Sequence, residues 1–105
     1  MEMQVRPFVV AQQYIEDPLL IQGLKFGIRV WTVITSVDPL RVYLHSGGLV
    51  LFSSDAYDSD SIVGDDGAIA GSHVTNYAQN MDGEVWNLER LRKHLGTESY
   101  ETLMR

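Results

Sequence analysis

Two cations, Lys25 and Arg29, interrupt the apolar stretch "LKFGIRVW", which runs from Leu24 to Trp31. Successive side chains of a β-strand point to opposite faces, so both cations would share a face with Gly27 between them, about 13 Å apart. Such a pair suits phosphate or carboxylate groups, because arginine can bind either one bidentately. The residues alone are equally consistent with a partly exposed strand whose cations reach out to water.

The segment "QQYIE", Gln12 to Glu16, is the second cluster with a chemical use. On an extended segment, backbone N–H and C=O groups can bind a flat heterocycle while Ile15 supplies an apolar wall. A strand end with surface glutamines is the better explanation for this segment taken by itself.

The third cluster is "HVTNY", His73 to Tyr77. If it is extended, His73 and Thr75 share a face and Asn76 adds an amide, a set that can hold a ribose or a substrate head group. A turn stabilised by threonine and asparagine is the commoner explanation. No serine or cysteine nucleophile constellation and no phosphate-cradling glycine loop is evident.

Composition narrows the classes of protein. The chain has 105 residues, of which 45% are hydrophobic and 21% charged, as expected for one globular domain with one core. Cysteine is absent, which excludes disulfides and thiolate metal sites. A net charge of −6 without a basic tract disfavours nucleic-acid binding. We expect neither a secretory signal nor a membrane span, because charges and prolines interrupt the apolar runs.

The elements that must position these clusters follow from hydrophobic patterning. Alternation predicts strands over residues 8–15, 25–37, 40–45 and 49–53. The second half of the long strand is apolar or β-branched on both faces, which predicts a central strand covered on both sides. Ser46-Gly47-Gly48 predicts a hairpin between the last two strands.

The rest of the chain reads as a loop and then helices. Aspartates among serines and glycines predict a solvated loop over residues 54–72, and their spacing does not fit a calcium-binding loop. A helical part over residues 86–105 begins at the N-cap Asn87, and Gly96 ends its first helix. Leu88, Leu91 and Leu95 are predicted to form its buried stripe. The fold class is therefore α+β, with an antiparallel sheet of about four strands followed by C-terminal helices.

In order, the three clusters and the strand pattern between them resemble the tubulin–tyrosine ligase-like family, over nearly all of residues 8–100 apart from the acidic loop. The resemblance implies an ATP-grasp fold, with residues 1–105 as a single partial domain. It also implies a ligase that uses ATP to turn a carboxylate into an acyl phosphate, which an amine attacks. Tyrosine, glutamate and glycine all remain open as the amino acid added to the tubulin tail.

The resemblance also implies site residues. Arg29 falls on the arginine that binds the acidic tail or the incoming amino acid, and is the catalytic candidate. The positions implied to bind ATP are Gln12, Gln13, Tyr14, Ile15, Lys25, His73, Thr75 and Asn76. Three positions depart from the family pattern: Gly27 replaces an aspartate, Leu51 an arginine, and Gln13 a lysine.

Two functions remain open. In the first, the chain is the central segment of the ligase, inactive by itself because the Mg²⁺ ligands of the family would lie beyond Arg105. In the second, it is a degenerate, non-catalytic module that binds a partner within a tubulin-associated assembly. The implied partner is tubulin or another acidic protein tail, in the cytoplasm, the cytoskeleton or a cilium. Self-association is expected through apolar edges left exposed.

Overall fold

A computed structural model describes residue 7, residues 9–76 and residues 83–105. Its elements are β1 (Leu20–Ile21), β2 (Leu24–Val37), β3 (Leu40–Phe52), β4 (Val85–Asn87), α1 (Leu88–Leu95) and α2 (Thr97–Met104). The strands form one sheet in the order β1-β2-β3-β4, and each pair of neighbours is antiparallel. The predicted α+β class, a four-stranded antiparallel sheet followed by helices, is confirmed.

The first strand is not where the sequence pattern predicted it. Residues 9–15 lie outside every strand, and Phe8 lies outside the described residues. The apolar side chains there find no cover, since Val9 is 90% and Ile15 72% exposed. Instead β1 turns into β2 through Gln22 and Gly23, whose φ angles of 55° and 76° are those of a tight two-residue hairpin turn.

The predicted hairpin at Ser46-Gly47-Gly48 is also wrong, because β3 runs unbroken from Leu40 to Phe52. The glycine at position 48 serves close packing instead of a turn. A Cβ there would lie 2.7 Å from the backbone oxygen of Arg29 and 2.9 Å from Cδ1 of Leu88. Only glycine lets the neighbouring strand and α1 approach β3 this closely.

The predicted two-sided cover of β2 is wrong for its outer half. The turn between β2 and β3 is confirmed, because Val37 pairs with Leu40. Toward that turn, however, the two strands carry apolar side chains that are largely exposed: Trp31, Val33, Ile34, Val37, Leu40, Val42, Tyr43 and Leu44. A continuous apolar run predicts burial only where another layer covers the strand, and α1 packs against β3 and β4 at the inner half of the sheet.

The core lies on one face of the inner half of the sheet, against α1. Its buried members are Ile21, Val50, Phe52, Trp86, Leu88 and Leu91, and Leu95 packs against them. Asn87 caps α1 as predicted, with its Oδ1 accepting from the Arg90 N–H at 2.8 Å. Gly96, at φ 82°, ends the helix as predicted. No helix within the described residues is long and apolar enough to cross a membrane.

Candidate functional site

The face of the sheet opposite the core carries the two cations. β2 keeps an unbroken register with β3 from Phe26 to Val30, so side chains alternate strictly there. Phe26 packs against the core, which leaves Lys25, Gly27 and Arg29 on the other face. The arrangement expected from the stretch "LKFGIRVW" is therefore present.

Lys25 joins all three sequence clusters. Its Nζ donates to the hydroxyl of Tyr14 at 3.0 Å and to the backbone oxygen of His73 at 3.2 Å. The same ammonium lies 4.8 Å from the centre of the Tyr14 ring, close enough for a cation–π contact. Residues far apart in sequence thus fix the head group, and an ammonium has a third N–H to offer a ligand.

His73 continues this network into the acidic loop. It is only 5% exposed, and its Nε2 lies 2.7 Å from the backbone oxygen of Asp58. A carbonyl oxygen only accepts, so Nε2 carries the hydrogen. In the neutral ring Nδ1 then accepts from the Tyr14 hydroxyl, 2.7 Å away. Donors run in one direction, from Lys25 through Tyr14 and His73 to Asp58, and both ring nitrogens of His73 are engaged inside the protein.

Tyr57 belongs to the same network, and sequence reasoning missed it. Its ring centre lies 4.9 Å from that of His73, and its hydroxyl donates to the backbone oxygen of Glu16 at 2.7 Å. Partial burial, with Tyr14 and the carboxylates of Glu16 and Asp17 nearby, raises the pKa of Tyr57 above its ordinary value. The signal in the sequence was the one aromatic residue of the loop over residues 54–72. An aromatic ring there anchors the loop to the segment before β1.

A hollow of about 490 Å³ opens beside Lys25. The predicted heterocycle-binding segment, Gln12, Gln13, Tyr14 and Ile15, lines it together with Lys25, Phe26 and Leu103 of α2, among others. Apolar walls of this kind can pack against a flat ring and the Lys25 ammonium can pair with an anionic group, while Asp17 adds a carboxylate to the lining. Leu103 was not anticipated, since nothing in the sequence shows that the last helix reaches this hollow.

A second hollow, of about 460 Å³, brings Arg29 together with Thr75 and Asn76. Gly27 and Leu51 also line it, and they are cross-strand partners in the ladder. A Cβ on Gly27 would lie 3.3 Å from the Thr75 hydroxyl oxygen, so Thr75 sits over the place where a side chain is missing. Tyr77, the last residue of the third cluster, lies outside the described residues.

Residues 7, 9–76 and 83–105 provide neither a carboxylate that pairs with Arg29 nor a cluster of side chains that could bind a metal ion. The ion pair found there joins Arg90 to Glu84 at 3.2 Å, and Arg29 has no carboxylate within ion-pair distance. No group of three or more histidine, aspartate or glutamate side chains in these ranges could hold a metal ion. The described site therefore offers cations for an anionic ligand and no ligand set for Mg²⁺.

Comparison with known proteins gives related sequences. The family model described as "Tubulin-tyrosine ligase family" matches residues 2–103. The chain is 41% identical, over 79% of its length, to tubulin polyglutamylase TTLL13 of Homo sapiens, where the match covers 10% of that protein. It is 45% identical to tubulin monoglutamylase TTLL4 of Homo sapiens over 71% of the chain and 6% of the relative. It is 39% identical to probable tubulin polyglutamylase TTLL9 of Bos taurus over 90% of the chain and 22% of the relative. The chain thus spans less than a quarter of each relative.

Proposed function

The chain belongs to the tubulin-tyrosine ligase family, as its three clusters predict, and from this premise we propose that it is the nucleotide-facing segment of a ligase that attaches an amino acid to tubulin tails. ATP, when bound, would supply the phosphoryl group that activates the acceptor carboxylate. The backbone of residues 12–15 would bind the adenine ring, and Lys25 the phosphates. Arg29 would bind the carboxylate of the acidic tail or of the incoming amino acid.

One observation carries this proposal: the Lys25 ammonium is held by Tyr14 and His73, and Lys25 lines the same hollow as residues 12–15. A lysine that merely reached out to water would keep a mobile head group. Here two acceptors and an aromatic face fix it beside apolar walls. A preorganised cation of this kind is what phosphate binding needs.

The described residues contain no cluster of side chains that could bind Mg²⁺, so no metal-dependent step is assigned to this chain. We propose that residues 1–105 form one partial domain of ATP-grasp type and that other parts of a longer protein complete the catalytic site. Such a protein would work in the cytoplasm, on the cytoskeleton or in a cilium. The relatives include tubulin polyglutamylases and a tubulin monoglutamylase, which supports tubulin as the acceptor.

Titration with a fluorescent ATP analogue tests the proposal, using Lys25→Gln and the matched variant Lys93→Gln. Lys93 is the other lysine of the chain and is exposed on α1, on the far side of the core. Losing a charge-assisted contact should weaken nucleotide binding about tenfold in Lys25→Gln and leave Lys93→Gln unchanged. Wild-type protein that binds no nucleotide, or equal losses in the two variants, would contradict the nucleotide-facing assignment.

The Gly27–Leu51 pair favours a second function, that of a non-catalytic module. Gly27 and Leu51 replace an aspartate and an arginine of the family pattern and face each other across the ladder. The module should bind tubulin without nucleotide. Co-sedimentation with microtubules, with and without their acidic tails and with and without ATP, separates the two functions. Tail-dependent binding that ATP does not alter, in protein that binds no nucleotide, supports the module.

The exposed apolar half of the β2–β3 hairpin supports self-association of the chain. Its exposed side chains include Val37, which is 82% exposed, and Leu40, which is 67% exposed. Light scattering across a hundredfold range of concentration should therefore show a mass that rises with concentration, whereas a constant monomer mass would exclude it.

A further inference from the structure

A third hollow, of about 330 Å³, lies beside Arg29, and its other walls are the aliphatic side chains of Leu49, Leu51 and Val85. The strand register explains why these four residues meet. Leu49 pairs with Arg29 across the β2–β3 ladder, and Leu51 pairs with Val85 across the β3–β4 ladder. All four side chains project from the face opposite the core.

The guanidinium of Arg29 is the charged group of this hollow. Arg29 is exposed and has no ion-pair partner within the described ranges, in a chain whose net charge is −6. Arg29 and Leu51 also line the polar hollow of Thr75 and Asn76. The cation therefore stands at the border between a polar space and an apolar one.

We propose that this third hollow binds a carboxylate carried on an apolar body, such as an amino acid or a peptide end with an aliphatic side chain. The Arg29 guanidinium receives the carboxylate, and Leu49, Leu51 and Val85 pack around the body. The inference rests on the proposed function and narrows it. Of the two ligands that this function allows at Arg29, an acidic tail and an incoming amino acid, it selects the one whose carboxylate is carried on an aliphatic body.

The lining explains why an acidic body fits less well. A second carboxylate would enter a space walled by aliphatic groups, where an unpaired charge loses its water without gaining a partner. Leu51 is only 7% exposed, so its side chain is one buried wall of this hollow. A neutral apolar molecule would use the walls and leave the guanidinium unused. The structure thus favours a ligand with one anionic end and one apolar end.

Three ligands of similar length separate these cases: 4-methylpentanoate, glutarate and 4-methylpentan-1-ol. Each is titrated into the ¹⁵N-labelled chain, and shifts of the Arg29, Leu49 and Leu51 amides are followed by NMR. We expect 4-methylpentanoate to bind at least about fivefold more tightly than the other two, given the worth of a charge-assisted hydrogen bond and of a buried apolar group. Glutarate binding as tightly as 4-methylpentanoate, or no shifts with any carboxylate, would overturn the inference.

Two variants locate the contacts. Arg29→Gln should weaken 4-methylpentanoate binding about tenfold, whereas Arg41→Gln, at an exposed arginine near the outer turn, should leave it unchanged. Val85→Thr keeps the shape of a 40% exposed side chain but adds a hydroxyl to the apolar wall. It should weaken 4-methylpentanoate binding about threefold and leave glutarate unaffected. Equal effects of Arg29→Gln and Arg41→Gln would count against the site.

The nucleotide titration keeps this inference distinct from the proposed function. Nucleotide binding that depends on Lys25, with no preference for 4-methylpentanoate, defeats the inference alone. A preference for 4-methylpentanoate without nucleotide binding supports the third hollow while removing the nucleotide-facing assignment. Absence of both defeats both.

Discussion

Replacing Tyr14 with phenylalanine tests the hydrogen-bond network that holds Lys25. The Tyr14 hydroxyl lies 2.7 Å from Nδ1 of His73 and 3.0 Å from Nζ of Lys25. Tyr14→Phe removes this single oxygen and keeps the ring under the ammonium. His73, only 5% exposed, then loses the donor to Nδ1 while Nε2 stays fixed on the Asp58 carbonyl.

The two lost contacts differ in cost. Lys25 and Tyr14 are partly exposed, so water replaces the contact between them and its loss costs little. The nitrogen of His73 is buried, and an unpaired buried acceptor costs about 1–3 kcal/mol. We therefore expect Tyr14→Phe to lower the free energy of unfolding by about 1–2 kcal/mol. It should also weaken nucleotide binding, because the Lys25 head group loses one of its two acceptors.

Urea unfolding of the wild type, Tyr14→Phe and Tyr43→Phe measures this difference. Tyr43 is the matched control, since it is 60% exposed and its hydroxyl has no hydrogen-bond partner among the residues described. Its replacement should change the free energy of unfolding by less than about 0.5 kcal/mol. If Tyr14→Phe proves as neutral as Tyr43→Phe, the directed chain of donors from Lys25 to Asp58 is refuted.

Three further predictions concern packing, the altered ladder pair and pH. Gly48→Ala should lower the free energy of unfolding by about 2–3 kcal/mol, because the added Cβ would meet backbone, whereas the Cβ of Gly47→Ala meets a movable histidine ring and should cost under about 1 kcal/mol. Equal losses of stability for the two variants in urea would contradict this. Leu51→Arg should lower the free energy of unfolding by about 3 kcal/mol, because it places an unpaired cation at a buried position. Adding Gly27→Asp on the partner strand should recover about 1–3 kcal/mol, whereas additive effects in the double-mutant cycle would show that the two side chains do not pair. The raised pKa of Tyr57 means that the folded chain holds this phenol proton more tightly than the unfolded chain, so the free energy of unfolding should fall as pH rises through 10.0. Tyr57→Phe should make this pH dependence weaker in urea titrations at successive pH values.

Features decided by local chemistry could be predicted from the sequence. The boundaries of α1 depend on one side chain, Asn87, that accepts from a backbone N–H three residues later, and on one glycine with positive φ. The shared face of Lys25 and Arg29 depends only on strand alternation. In both cases the atoms that decide the outcome lie within a few residues of each other.

Features decided by distant neighbours could not be predicted. Gly47-Gly48 has the composition of a turn, but the need for glycine at position 48 comes from a carbonyl on β2 and a leucine on α1. The apolar outer half of β2 has the composition of a buried strand, yet no second layer from residues 7, 9–76 and 83–105 covers it. The segment at residues 9–15 alternates as a strand does, but it pairs with no other strand. A segment forms a strand only when another strand pairs with it, and composition does not show whether such pairing occurs.

The candidate site divides in the same way. Its cations and the three clusters were visible as residue types in a certain order, whereas Tyr57, Leu49 and Val85 enter through loop path and strand register. Register also changes the meaning of the departures at Gly27 and Leu51. Gly27 and Leu51 are cross-strand partners. The two departures that the resemblance implies would therefore form one exchange, with an uncharged pair where the family pattern has a charged one. Replacing the arginine alone would leave the aspartate unpaired beside aliphatic groups, and replacing the aspartate alone would leave the arginine unpaired. The uncharged pair Gly27–Leu51 contains no unpaired charge at this position of the ladder. On the same face, Arg29 lies beside aliphatic side chains.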